Sequence, residues 1–222
     1  MDDLVFLFDV DNTLLDNDAL QEDLSDRLLS VFGPAIRDRY WALFEELREA
    51  SGYADYLGAV ERLRSENLRD RRMLAMSGWL LDYPFPNRLY PQALAAVRHV
   101  GQWGRAVVLS DGDAVFQPRK VDRSGIGAVF EGEVLIYIHK QRELDDVERL
   151  YPARRYVLVD DKLGILTEVK AAWKDRVTTI FPKQGHYAKD PAILAACPPA
   201  DVEIERIGDL ASLDRAAFEP KS

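Results

Sequence analysis

The chain holds one cysteine, Cys197, among 222 residues. A lone thiol excludes an internal disulfide framework and fits a reducing compartment. No apolar run reaches the ~18 residues that crossing a bilayer requires. The run 4–8, behind the acidic start Met1-Asp2-Asp3, is too short for the apolar core of a signal peptide. Internal repeats and low-complexity tracts are missing as well. Basic residues are in the minority, Lys+Arg 29 against Asp+Glu 38 for a net charge of −9. That balance argues against a non-specific binder of nucleic acid or of a membrane surface. What is present is an apolar fraction of 47%, ordinary for a globular chain and enough for a core. The length fits one larger domain, or one domain with an insertion. A soluble, cytoplasmic protein is expected; the oligomeric state is not legible.

Short apolar runs alternate with longer amphipathic ones. Residues 4–8 are wholly apolar and end at Asp9, as a strand buried on both faces does. Similar runs cover 106–109, 156–159 and 177–181, with weaker ones at 134–138 and 202–204. Helix-length segments lie at 91–103, about 118–124, 141–150, 163–173 and 209–218. This alternation predicts an α/β fold, a doubly wound parallel sheet with helices on both faces. Residues 16–89 contain no strand-like run. There Leu20, Leu24 and Leu28 recur at helical spacing, as do Ile36, Tyr40, Phe44 and Leu47. Gly33-Pro34, Gly52 and Tyr83-Pro84-Phe85-Pro86 divide the block into roughly four helices. The expected organisation is a core of 1–15 and 90–222 with a helical cap, 16–89, inserted after the first strand. Asp16-Asn17-Asp18 and Asn87-Arg88 are candidate hinges.

Ligands of open α/β sheets sit beyond the carboxyl ends of the strands. Those ends carry Asp9-Val10-Asp11-Asn12-Thr13, Ser110-Asp111-Gly112-Asp113, His139-Lys140 and Asp160-Asp161. Crowded carboxylates repel unless a cation balances them. All-oxygen donors suit Mg²⁺. A lysine and a hydroxyl among them suggest an anionic ligand, and phosphate fits. Asp9 then suits a carboxylate nucleophile forming an aspartyl-phosphate, and Asp11 a general acid and base.

With these residues in order, the sequence resembles the haloacid dehalogenase superfamily. Asp9-Val10-Asp11-Asn12-Thr13-Leu14-Leu15-Asp16 looks like its first motif, and Ser110, Lys140 and Asp160-Asp161 match the second, third and fourth. The 16–89 block stands where members insert a helical cap, so the resemblance spans the chain. It implies Asp9 as nucleophile and metal ligand, Asp11 as acid/base with its carbonyl on the metal, and Thr13 as the residue orienting the loop. It implies Ser110 and the Asp111 amide on the phosphoryl group, Lys140 bridging that group and Asp9, and Asp161 as the main fourth-motif ligand with Asp160 beside it. Dehalogenases of this type, like the phosphonate-cleaving members, lack an acid at the position of Asp11, and the dehalogenases need no metal. The pattern here therefore implies a Mg²⁺-dependent hydrolase of a small phosphorylated metabolite, with a phosphomutase as the nearest rival. A non-catalytic binding protein on the same fold is the alternative of a different class. A phosphorylation-controlled receiver is disfavoured, because receivers carry the acidic pair before the acceptor Asp.

This chain departs from the pattern in places. Asp111 is charged where members often are not, and Ile165 and Leu166 stand where many carry a further acid. Lys162 follows the acidic pair and reduces the local negative field. Lys120 is an alternative third-motif lysine, otherwise a solvated helix residue. His99 and His139 are expected to be structural or on the surface; His186, in the loop after 177–181, reads as a surface-loop residue, with a place at the substrate mouth as the alternative. Most of the arginines 62, 64, 69, 71 and 72 read as a solvated helix face, the alternative being that one or two face the cleft and grip an anionic part of the substrate; Tyr53, Tyr56, Trp79 and Tyr83 read as cap core.

Overall fold

Six short segments pair into one sheet, the inner four mostly buried on both faces and the two edge strands only in part. The computed structural model describes residues 2–219. The strands are β1 (Asp2–Phe8), β2 (Arg105–Asp111), β3 (Val134–Tyr137), β4 (Ala153–Val159), β5 (Val177–Pro182) and β6 (Val202–Ile204). Their spatial order is β3-β2-β1-β4-β5-β6, and every pairing is parallel. β1 shows the alternation behind its uniform apolarity. Leu4, Phe6 and Phe8 pack into the cluster on one face, and Val5 and Leu7 into the cluster on the other. The order reverses between β1 and β4, so their carboxyl ends flank the crevice where such sheets take ligands.

Between β1 and β2 the chain forms α1 (Asn17–Phe32), α2 (Pro34–Ser51), α3 (Tyr56–Glu66) and α4 (Met76–Leu81), with single 3-10 turns at Arg71–Ala75 and Phe85–Arg88. The strand-free block thus forms four helices, in line with the roughly four that its period and its glycine and proline breakers predict. Its ends meet where the chain leaves and rejoins the sheet. The Asp16 amide donates to the Arg88 carbonyl at 2.7 Å, and the Tyr90 amide to the Leu14 carbonyl at 3.0 Å. Leu20, Leu24, Tyr40 and Phe44 from this block share one continuous apolar cluster with Phe6, Phe8 and Phe116. Rings join the two parts directly, with Tyr56 and Phe116 centroids 5.1 Å apart and Phe85 and Phe116 5.8 Å apart.

The remaining helices are α5 (Ala93–Val100), α6 (Phe116–Arg123), α7 (Ile126–Val129), α8 (Leu144–Leu150), α9 (Leu163–Trp173) and α10 (Pro191–Ala196). Helix α6 starts earlier than Pro118, because the Asp113 carboxylate accepts from the Val115 and Phe116 amides at 2.7 and 2.6 Å. The segment 209–218 is not one helix but two 3-10 turns, Ile207–Ser212 and Arg215–Phe218. Asp214 breaks it by turning its side chain onto the Ala216 and Ala217 amides. The short helix α10, started by an Asp190 cap on the Ala192 amide, has no counterpart in the periodicity. No helix among the described residues is long and apolar enough to cross a membrane.

Candidate active site

β1 ends at Phe8, and the next seven residues make a compact loop. The amides of Thr13, Leu14 and Leu15 all point at the Val10 carbonyl, at 3.3, 2.9 and 3.0 Å. That fold requires Asn12 at φ 58, a left-handed conformation that Asn tolerates better than most side chains. The Asn12 side chain then accepts from the Asn17 and Asp18 amides at 3.0 and 3.2 Å and donates to the Asp18 carboxylate at 2.9 Å. One residue thus binds the loop to the first turn of α1. Gln184, buried after β5, donates to the Thr13 carbonyl at 3.0 Å and accepts from the Ile207 amide at 2.7 Å. Beside it Gly185 (φ +69) lies so close that a Cβ there would stand 2.6 Å from Asn12 Cβ.

This scaffold brings Asp9, Lys140, Asp160 and Asp161 together, all buried. Lys140 Nζ lies 2.5 Å from Asp9 Oδ1 and 2.6 Å from Asp160 Oδ2, and donates to the Leu109 carbonyl at 3.2 Å. Burial pulls its ammonium down, but Asp160, Asp9 and Asp111 outweigh that and hold it above lysine's ordinary value. The Lys162 amide donates to Asp160 Oδ1 at 2.8 Å, so both oxygens of Asp160 are engaged. Asp161 differs. Its amide donates to Thr13 Oγ1 at 3.1 Å, yet neither carboxylate oxygen finds a hydrogen-bond donor among the described residues, although the residue is 1% exposed. Burial, then the charges of Asp160 and Asp9, push the Asp161 carboxyl well above its ordinary value. Burial also raises Asp160, to about 6, against the pull of Lys140.

One oxygen from each of Asp9, Asp160 and Asp161 lies within 4.8 Å of the others. Three carboxylates so placed, one with both oxygens unsatisfied, fit a hard divalent cation. Asp161 is the acid with open coordination capacity and Asp160 the one already bound by protein donors. The carboxylate of Asp11 is not in this cluster. It turns instead to Lys120, whose Nζ lies 2.6 Å from Asp11 Oδ1.

Ser110 and Asp111 are the last residues of β2, which runs two residues beyond the expected 106–109 because both pair with β3. Ser110 Oγ accepts from Gln117 Nε2 at 2.9 Å. Asp111 does not face a phosphate site unopposed, since its Oδ1 accepts from the Lys140 amide at 2.7 Å. Burial nonetheless raises its carboxyl, and Lys140 offsets part of the rise.

Next to the acids lies a cavity of about 810 Å³ between the sheet edge and the helical block. Asp11, Asp111, Asp161 and Lys162 line its floor, and Trp41, Phe44, Arg48, Tyr53 and Tyr56 its roof. Tyr53 is therefore a cavity wall rather than cap core, whereas Tyr56 and Tyr83 are buried. His186 lines the cavity too, with Nδ1 2.6 Å from Asp18 Oδ1. Arg62, Arg64, Arg69, Arg71 and Arg72 do not line it; three of them pair with Glu46, Glu61 and Asp70 on the surface. Lys120, expected to be solvated if it is not the third-motif lysine, is wholly buried, and Lys140 holds the place beside Asp9. The sequence offers Asn12 only as part of the first motif and Asn17 only as part of a candidate hinge, and it does not single out Gln117. Gln117 and Lys120, three apart on one helix, were the available signal: two polar residues on the face that α6 buries.

No family model matches the chain, and no curated protein does. Among solved structures, it is similar to a haloacid dehalogenase-like hydrolase from Burkholderia xenovorans at 58% identity and a TM-score of 0.91, over 96% of this chain and 99% of that one. An L-2-haloacid dehalogenase from Xanthobacter autotrophicus aligns at 17% identity and a TM-score of 0.63, over 94% and 97%. A HAD-hydrolase from Bacillus subtilis bound to magnesium aligns at 16% and 0.60, over 96% and 98%. The last two share the fold. The first, more than half identical over nearly its whole length, shows the family: the chain belongs to the haloacid dehalogenase-like hydrolases.

Proposed function

We propose that this hydrolase cleaves a phosphate monoester of a small metabolite through an aspartyl-phosphate, with Mg²⁺ as cofactor. The observation that carries the reading is Asp161, a buried carboxylate with both oxygens unsatisfied beside Asp9 and Asp160. By the resemblance, dehalogenases lack an acid at the position of Asp11 and need no metal, so Asp11 and an acid with open coordination capacity favour the phosphatase reading. Mg²⁺ suits the all-oxygen donors, Asp161 and Asp9 foremost, and when bound neutralises charge on the transferring phosphoryl group.

Each residue has a task. Lys140, itself paired with Asp160, holds the Asp9 carboxylate at the end of β1. An oxygen of Asp9 attacks phosphorus, the P–O ester bond breaks, and the leaving oxygen takes the proton of Asp11. Water then attacks phosphorus and gives a proton back to Asp11, and the Asp9–phosphorus bond breaks to release phosphate and the carboxylate. Ser110, oriented by Gln117, and the Asp111 amide bind phosphoryl oxygens. Lys140 offsets the charge gathering on Asp9 and the phosphoryl group. The substrate's organic part fills the cavity under Trp41 and Tyr53. Small phosphorylated metabolites are the partners this geometry suits; nucleic acid and membranes are not.

The test is release of 4-nitrophenolate from 4-nitrophenyl phosphate with Mg²⁺ and with chelator. Asp9→Asn is expected to stay folded, lose turnover by at least about 10⁴-fold and trap no acid-stable phosphoprotein. Metal-independent release of chloride from 2-chloropropionate, with no phosphate release, would overturn the reading in favour of a dehalogenase.

A further inference from the structure

A lysine that no solvent reaches needs a reason, because burying an ammonium is costly and an apolar side chain fills the same space without that cost. Lys120 is 0% exposed. Its Nζ lies 2.6 Å from Asp11 Oδ1 and 3.0 Å from Asn17 Oδ1. It sits over the faces of Phe116 and Tyr56, 5.3 and 5.8 Å from their centroids. Asn17 continues the chain of contacts. Its Nδ2 donates to the Tyr56 hydroxyl at 3.0 Å, which also accepts from Gln21 at 2.8 Å.

The positions of these residues give the network its meaning. Lys120 belongs to α6, which follows β2 in the sheet-bearing part. Asn17 is the first residue of α1 and Tyr56 the first of α3, both in the helical block. One turn before Lys120, Gln117 Nε2 lies 3.4 Å from the other oxygen of Asp11 and 2.9 Å from Ser110 Oγ. A single face of α6 therefore holds both oxygens of Asp11, and the ammonium that grips one of them also grips the block that roofs the cavity.

We propose that Lys120 is a positioning residue that couples the orientation of Asp11 to the seating of the helical block, through Asn17 and Tyr56. Asp11 is aligned for proton transfer when Asn17 and Tyr56 are in place, which is when the cavity is roofed and bulk water is limited. The inference rests on the phosphatase reading above and adds to it the device that ties the acid/base to the roof.

The test uses the full chain carrying Lys120→Met or Tyr56→Phe, with wild type alongside. Tyr56→Phe removes only the hydroxyl, and so serves if the lysine variant fails to fold. The probes are 4-nitrophenyl phosphate, whose leaving group needs no proton, and 2-glycerophosphate, whose leaving group does. With the nitrophenyl ester, the first-turnover burst of Lys120→Met should stay within about threefold of wild type, while steady-state release falls about 100-fold, the scale of general acid–base catalysis. Acid-quenched protein should then retain phosphate on Asp9, because water is no longer activated. With 2-glycerophosphate, the first turnover itself should fall about 100-fold. Tyr56→Phe should show the same pattern at about tenfold, a smaller share of the same general acid–base effect. A merely structural lysine would lower burst and steady state by one common factor on both esters. That result, or no change at all, in a wild type that is active overturns the coupling. A wild type that releases no phosphate from either ester overturns the phosphatase reading, and the coupling with it.

Discussion

Replacing Asp161 with Asn should make the metal-free protein more stable while abolishing its response to metal. Both oxygens of Asp161 are buried without a donor, next to Asp9 and Asp160. A buried group left unsatisfied costs about 1–3 kcal/mol, and more when charged. Here the carboxyl is also pushed well above its ordinary value, so ionising it at neutral pH works against the folded state. Asn removes the charge and supplies two N–H donors, within a cluster whose oxygens lie 4.8 Å apart or less. A gain of about 2 kcal/mol corresponds to roughly 4–8 °C in the unfolding midpoint for a chain of this size. Calorimetry in chelator should show that rise. Added Mg²⁺ should then shift the midpoint of wild type but not of Asp161→Asn, since binding only to the native state is what raises stability. A variant that melts below wild type in chelator, or that keeps the full metal-induced shift, would refute the assignment of Asp161 as the open ligand.

The pH dependence of stability should report the same cluster. Asp160 sits at about 6 in the folded protein against an ordinary value of 3.8, so the folded state binds the proton more tightly than the unfolded chain. Its contribution to stability is full below about pH 4 and is lost as the pH rises through about 6; urea midpoints in chelator should fall across that window, and Asp160→Asn should flatten the fall. Gly185→Ala should strain a backbone at φ +69 and force a Cβ to 2.6 Å from Asn12. We expect a loss of about 1–3 kcal/mol in stability and at least about tenfold in kcat through displacement of the Asp9 loop; an unchanged kcat would mean that loop tolerates the shift.

Strand sequences were legible because a parallel strand covered on both faces must be apolar throughout, and residues 4–8, 106–109, 156–159 and 177–181 can be little else. The polar residues that end these runs were legible for a related reason. A strand end next to a crevice has no apolar neighbour to satisfy, so Asp9, Ser110 and Asp160-Asp161 stand out against what precedes them. The strand-free stretch 16–89 likewise announced roughly four helices by its period and by the glycine and proline breakers that divide it. Elsewhere local pattern was insufficient: 209–218 has helical composition, but Asp214 takes backbone amides for itself and cuts it into two turns.

What only the tertiary structure decided lies in contacts between residues far apart in the chain. Asp160 and Asp161 are adjacent and chemically identical, yet Lys140 and the Lys162 amide occupy the first and leave the second open. Lys120 reads as an alternative third-motif lysine or a solvated helix residue, and becomes the partner of Asp11 and Asn17 only because α6 turns that face inward. Sequence settles which side chains can do the chemistry, since that is a property of the residue. Which of them are satisfied and which remain free depends on donors that folding delivers from other elements, and no local pattern encodes that.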